Sequence, residues 1–594
     1  VEGCHAAGDS TPQAASLFYS HRCQNGQTSL RQPDRLASSP PTLENVGMKL
    51  LRRVIPLLLV VVGLLALVQA IAGRPTGDIS TPRRLADRFE AKQTAERLDA
   101  WFQDRWTREQ ITPAAPAHEA TVLRRLSLAL HGTVPSLEEL RQFEADAKKR
   151  RLERWTQRLL DDSRFATYFS ERLGRALVGA EEGPFLAFRR DRFHAWLSEQ
   201  LAANRPWDRI VTRLVTAQGL PTGEPATNFI TIAQVDEEID EQVLAGRTIR
   251  AFLGQRIDCA QCHDHFFDPR WKQAHFEGLA AFYAPVRFSP LGVDDNLAVQ
   301  FEVTDHESGT SRVVEPRVPF GSEWLPSEGT PRRRLAQWLT DRRNLRFDRA
   351  IVNRVWGQMF GRPFSSPVND LPDPGDPATA ALDLLSEDFR SHNRELKWLI
   401  HAIAASRPFR LDSRPHVPHD SQTLELPLEE LRRHEEAWAV FPVLRLRPEQ
   451  VIGAMLQTAS IKTIDRHSHL FTRARRFFSE QSFVQDYGDL GDEELSEQTG
   501  TIPQALLRMN GQLARELIKP GAFGATTAIA RATQGNDRLC LGTCFEVCLG
   551  RQPSDDEQEV MGQWLADTRG RRRELAVEDI FWTLFNSPEF SWNH

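Results

Sequence analysis

Cysteine is scarce in this chain, with seven in 594 residues. Setting aside the first 47 residues, for a reason given below, leaves Cys259, Cys262, Cys540, Cys544 and Cys548. So small and odd a number does not make a disulfide framework. An excess of one charge is also missing: 74 Lys and Arg stand against 80 Asp and Glu, a net charge of -6. Nothing global therefore draws the protein to nucleic acid or to an anionic membrane surface, and no nucleic-acid partner is expected. Catalytic signatures are missing too. There is no H-E-x-x-H, no G-x-S-x-G, no phosphate loop and no dinucleotide fingerprint. Tyrosine is rare, four against fourteen Trp, and composition offers no functional reason for that imbalance.

A leader-like segment is present, but internally. Met48-Lys49-Leu50-Leu51-Arg52-Arg53 is a positive n-region, and Val54 to Ala72 follows without a charge. Such a segment works at a terminus. The reading is therefore that translation starts at Met48 and that residues 1–47, rich in polar residues and without apolar periodicity, are a disordered upstream over-extension. Residues 48–73 serve as a signal peptide, with a small-x-small cleavage site at Ala70-Ile71-Ala72, or stay as an N-terminal membrane anchor. Both alternatives place the rest outside the cytoplasm, because Lys49, Arg52 and Arg53 hold the N-terminus inside. The expected location is periplasmic, membrane-anchored or secreted.

At this length two or three domains are the natural prior. Helical periodicity runs through 85–286: Leu98, Phe102 and Trp106 recur at i, i+4 and i+8, and Leu152, Trp155 and Leu159 at i, i+3 and i+7. Ser136-Leu137-Glu138-Glu139 is a capping box, and Asn204-Arg205-Pro206-Trp207 breaks a helix pair. Helices are expected over roughly Glu237 to Arg256 and Trp271 to Tyr283. Residues 287–330 change character: Gln300 to Thr304 and Arg312 to Val314 alternate around Gly309, and Pro316, Pro319, Pro326 and Pro331 follow. From 331 to 594 helices resume, with Val352, Val355, Trp356 and Met359 inward. The expected fold is mainly α, two helical domains joined by a short, Pro-rich segment containing a β-hairpin. Cys540, Cys544 and Cys548 recur every four residues and read as a core stripe on one helix face. Gly550 closes that helix, and Ser554 to Glu557 caps the next. Residues 478–500 read as an acidic, solvated loop.

The pattern with the most chemical content is Cys259-Ala260-Gln261-Cys262-His263. Composition alone gives roughly 0.002 chance occurrences of C-x-x-C-H in such a chain. The spacing suits haem c: two thiols form thioethers to the vinyl groups and the adjacent imidazole becomes the proximal iron ligand. Phe252, Phe266, Phe267, Trp271 and Phe276 flank the motif as candidate porphyrin walls. The same residue types suit zinc or another metal, held by Cys259, Cys262, His263 and His265 or Asp264, and they also suit a disulfide or structural pair. His265 lies too near the motif to reach the opposite haem face and reads as a propionate contact or a surface residue. Asp268-Pro269 starts a turn. His275 is the nearest histidine for the distal side, although an exposed helix position is its plainer reading. Met359, Met455, Met509 and Met561 read as core, His467 and His469 as solvated, and Arg354 as a buried structural residue.

By these residues the chain resembles the planctomycete-type cytochrome-named domain of unknown function, followed by the domain of unknown function that usually accompanies it. The first part of the resemblance rests on Leu98-Asp-Ala-Trp-Phe102, Leu123-Arg-Arg-Leu-Ser-Leu-Ala-Leu-His-Gly-Thr-Val-Pro135, Leu159-Leu-Asp-Asp-Ser-Arg-Phe165 and Cys259 to Pro269. The second rests on Val352-Asn-Arg-Val-Trp-Gly-Gln-Met-Phe-Gly361, Leu396 to Leu399, Thr501 to Asn510 and Asn586-Ser-Pro-Glu-Phe590. The chain departs from the second pattern at Asp376 to Ala380, where a His-Pro motif is usual, and at Phe409, where a Tyr is. The resemblance implies an exported, mostly helical two-domain protein without an assigned biochemical role. Three function classes follow. The first is a c-type-cytochrome-like protein transferring electrons to redox partner proteins; the second a metal-dependent enzyme; the third an extracytoplasmic helical binding scaffold.

Overall fold

The computed structural model describes residues 85–179, 190–235, 238–261, 263–264, 271–304, 309–415, 427–465, 468, 495, 509, 512–521 and 524–594. The leader at 48–73, the acidic stretch at 478–500 (Leu495 aside) and His467 and His469 lie outside these residues. No helix among the described residues is long and apolar enough to cross a membrane.

The protein is mainly α, and the helices form where the apolar period is clearest. Leu98, Phe102 and Trp106 all reach 0% exposure on the Leu85–Glu109 helix. Leu152, Trp155 and Leu159 line the buried face of Arg151–Asp161. Helix boundaries follow local hydrogen bonding. The Ser136 hydroxyl accepts from the Glu139 amide at 3.0 Å while the Ser136 amide donates to the Glu139 carboxylate at 2.9 Å, which satisfies two otherwise orphaned donors. Ser554 and Glu557 repeat the arrangement, and Gly550 ends the preceding helix in the left-handed conformation. The helix pair flanking Pro206 ends at Ala202 and restarts at Trp207.

Strands are short and antiparallel. The hairpin anticipated around Gly309 pairs Phe301–Thr304 with Ser311–Val314. A second hairpin, which the sequence did not advertise, pairs Val286–Ser289 with Gly292–Asp295. Its outer edge bridges Gly219, where a Cβ on Gly292 would lie 2.2 Å from the Gly219 carbonyl carbon, so only glycine permits the approach. The helix expected from Glu237 begins instead at Glu241. Gln234–Val235 pairs with Glu238–Ile239, and the Asp240 carboxylate then caps the amides of Gln242 and Val243.

One continuous hydrophobic core runs from Ala91 to Phe441 and so spans the hairpin segment. Trp356 stacks on Phe360 at 4.4 Å between ring centres, and meets Phe102 at 6.2 Å and Trp438 at 5.2 Å. Such pairs each add about 0.5–1.5 kcal/mol beyond their burial. Trp356 thus packs the first helical region, through Phe102, against the second. A second core gathers Val451, Met455, Cys540, Cys544, Cys548 and Phe581 around Leu128 and Val134. The buried arginines beside Leu126 tie in distant chain: Arg124 donates to the carbonyls of Cys548 and Phe590, and Arg125 to those of Phe409, Leu411 and His594. Burial pulls the Arg124 guanidinium down to about 10 and Arg125 to about 9, which leaves both charged at neutral pH.

Candidate functional site

The helix Glu241–Leu253 delivers the Cys/His motif. It stops at Gly254, whose φ is +61°, and the chain runs through Gln255 to Ile257 into a single 3-10 turn, Asp258–Gln261. Ile257 and Ala260, each 1% exposed, anchor this turn from below, while Asp258, Cys259 and Gln261 face solvent. Cys259 therefore presents an exposed, free thiol at the surface.

His263 is exposed as well, and its ring is oriented by the next residue. Nδ1 lies 2.8 Å from the Asp264 carbonyl oxygen. A carbonyl can only accept, so Nδ1 is the donor of this bond. Asp264 is fixed in turn: its carboxylate accepts from the Gln273 amide at 2.9 Å, at the first residue of the helix Gln273–Ala280. The Gln273 side chain returns a bond to the Gln261 carbonyl at 3.3 Å. Asp258 packs so closely over Gly246 that a Cβ there would come within 2.9 Å of its carboxylate. The turn is thus pinned between two helices.

The remaining sequence candidates divide clearly. His275 is half-buried, and its Nδ1 accepts from the Lys272 amide at 3.3 Å, a cap on its own helix. Cys262, His265, Phe266, Phe267 and Asp268 lie outside the described residues. Phe252 packs against Phe229 and Trp207 at 5.4 and 6.5 Å, Trp271 against Phe320 at 6.3 Å, and Phe276 is 3% exposed. These three rings therefore belong to the core: apolar residues at helical spacing turned inward rather than toward the exposed thiol. Among the described residues no three His, Cys, Asp or Glu side chains converge to hold a metal ion. Met359 and Met455 are fully buried, Met561 packs against the second core, and Met509 is 38% exposed.

Sequence reasoning missed what holds the turn from behind. The Arg354 guanidinium donates to the carbonyls of Ala251 and Arg250 at 2.5 and 3.0 Å. Arg346 donates to the Gln255 side-chain oxygen at 3.1 Å, and Gln255 donates to Asp370 at 2.7 Å. The only signal was Asn353-Arg354, a polar pair inside a helix that otherwise packs.

Residues 97–288 match the family model PSCyt2, Protein of unknown function (DUF1549), and residues 331–474 match PSD1, Protein of unknown function (DUF1553). The two matches follow one another in chain order and are the domain pair that the sequence motifs resemble. No curated protein and no solved structure matches it. The Cys/His turn lies within the PSCyt2 region, Arg346 and Arg354 lie within the PSD1 region, and the helices from Gln512 onward lie beyond both.

Proposed function

We propose that this protein is an exported, c-type-cytochrome-like electron-transfer protein, with haem held covalently at Cys259 and Cys262 and His263 as the proximal ligand. The observation that carries this reading is the orientation of His263. Its Nδ1–H is donated to the Asp264 carbonyl, the kind of bond that would orient an imidazole for an iron. The exposed Cys259 thiol beside it adds to the reading, and the name PSCyt2 hints at a cytochrome-like domain. Cys259 and Cys262 would hold the group through thioethers, each formed without an oxidant by addition of an S–H across a vinyl group. Haem, once bound, supplies one-electron chemistry. The chain orients the imidazole through Asp264 and presents Cys259 and His263 at the surface, where a redox partner protein would reach them.

The test is expression with a cytochrome maturation system, followed by acid-acetone extraction. Colour should stay with the protein, be weakened or lost in Cys259→Ala and Cys262→Ala, and persist in Cys544→Ala, whose thiol is buried in the second core. A colourless wild-type protein that carries stoichiometric zinc would overturn the haem reading in favour of a metal centre.

A further inference from the structure

We propose that the PSD1 region sets the working geometry of the Asp258–Gln261 turn that bears Cys259, with Arg354 as its principal positioning residue. The effect on haem rests on the reading above; the mechanical part does not.

A helix leaves its last four carbonyls without partners, and these carry the negative end of its dipole. On Glu241–Leu253 two of them, those of Arg250 and Ala251, accept from Arg354, a cation only 2% exposed. Three residues beyond Ala251, the Gly254 carbonyl accepts from the Leu371 amide at 2.8 Å. Gly254 is also where the chain turns left-handed, and a Cβ there would meet Leu371 Cδ1 at 2.7 Å and the Ala350 methyl at 3.4 Å. Gln255, 4% exposed, is gripped at both ends of its amide, by Arg346 and by Asp370. Every one of these partners lies between residues 346 and 371.

The gripping surface is itself one piece. Asn353, beside Arg354, exchanges two hydrogen bonds with the Ser365 backbone at 2.8 and 3.0 Å. This ties the loop leading to Asp370 and Leu371 onto the helix Leu345–Phe360. Only Arg256 and Ile257 then separate Gln255 from the turn that bears Cys259. The arrangement is mutually dependent, because Arg354 without these carbonyls is a buried cation that has lost two acceptors, and the helix end without Arg354 loses the donor to its Arg250 and buried Ala251 carbonyls. The PSCyt2 region bears Cys259 and His263, and the PSD1 region holds the helix end and Gln255 that lead into them. Two thioethers and one axial bond require two thiols and an imidazole in register, so haem loading responds to a residue that touches none of them.

The experiment uses the full chain and two readouts: backbone hydrogen exchange, and covalent haem after maturation. In Arg354→Met, exchange across residues 250–264 should rise roughly tenfold or more, the fold-change that follows from losing charge-assisted bonds of about 1.5–3 kcal/mol. Exchange around Leu98 to Trp106 should change less than about twofold, and covalent haem should fall. Arg354→Lys should lie between the two, because an ammonium keeps the charge but not the fork that serves two carbonyls. Gln255→Ala cuts the contacts to Arg346 and Asp370 without disturbing the buried guanidinium, and it should raise exchange in the same segment. It decides the matter alone if Arg354→Met does not fold. Unchanged exchange at 250–264, or a rise spread evenly over the chain, would overturn the proposal by leaving Arg354 as ordinary core support. A wild type that matures no haem, yet shows the local exchange effect, removes the cytochrome reading and leaves this mechanical one standing.

Discussion

Lowering the pH from about 7.5 to about 5 should weaken the fold through one buried imidazole, His131. The residue ends the helix Glu119–His131 and is 1% exposed. Its Nε2–H donates to the Leu159 carbonyl at 2.9 Å, whereas Nδ1 has no partner. Burial, reinforced by the neighbouring Arg164 guanidinium, pulls the ring down to about 4; Asp162 and Glu139 act in the opposite sense. In the unfolded chain the value returns to about 6.5. The folded state therefore stays neutral between these values while the unfolded state binds a proton, so stability is complete above about 6.5 and falls with pH below it. At pH 5 the loss is about 2 kcal/mol, and near pH 4 it approaches roughly 3 kcal/mol. Urea unfolding of wild type and His131→Gln at both pH values isolates this contribution, because the carboxylates of Asp162 and Glu139 titrate in both proteins. The drop between the two pH values should be about 2 kcal/mol smaller in the variant. Parallel pH profiles for the two proteins would refute the reasoning.

The thiols offer a second check. In unmatured, native protein iodoacetamide should label Cys259 and leave Cys540, Cys544 and Cys548 untouched until unfolding. The Cys544 hydrogen bond brings the Cys540 thiol down to about 7, but all three are at 0% exposure. Native labelling of Cys540 would mean that the helix Asp537–Leu549 opens. Arg332→Met should cost about 3–5 kcal/mol in thermal or chemical unfolding. It strands Asp295, paired at 2.8 Å and 6% exposed at its side chain, and it frees the carbonyls of Val215 and Ala217. A loss below about 1 kcal/mol would show that the pair is solvated rather than buried.

Local signals in the sequence were reliable where the physics is local. The i, i+4, i+8 run of Leu98, Phe102 and Trp106 named its own buried face, and the capping boxes at Ser136 and Ser554 named their own helix starts, because all the partners lie within a few residues. The cysteine stripe from Cys540 to Cys548 was legible for the same reason. Long-range choices were not. Periodicity says which face of the helix Leu345–Phe360 is apolar but not that Trp356 meets Phe102, so the core shared across the hairpin segment was invisible. The hairpin Val286–Asp295 was hidden because it depends on Gly219, distant in sequence. At the candidate site the residue types of the motif were plain from their spacing. That Gln273 holds Asp264, and that Arg354 grips the helix ahead of Cys259, depends on partners 9 and 104 positions away. The aromatic residues around the motif misled for a related reason: hydrophobicity marks a ring for burial without saying whether protein or cofactor buries it.

The most direct test of the central claim is a visible spectrum of the protein exported by cells with a working cytochrome maturation system, taken oxidised and then reduced with dithionite. The account predicts a haem c spectrum that changes on reduction and stays with the polypeptide after denaturation. It also predicts that added imidazole or carbon monoxide readily shifts the spectrum, because no strong sixth ligand was evident in the sequence. A protein without visible absorption, recovered from that same host, would contradict the account.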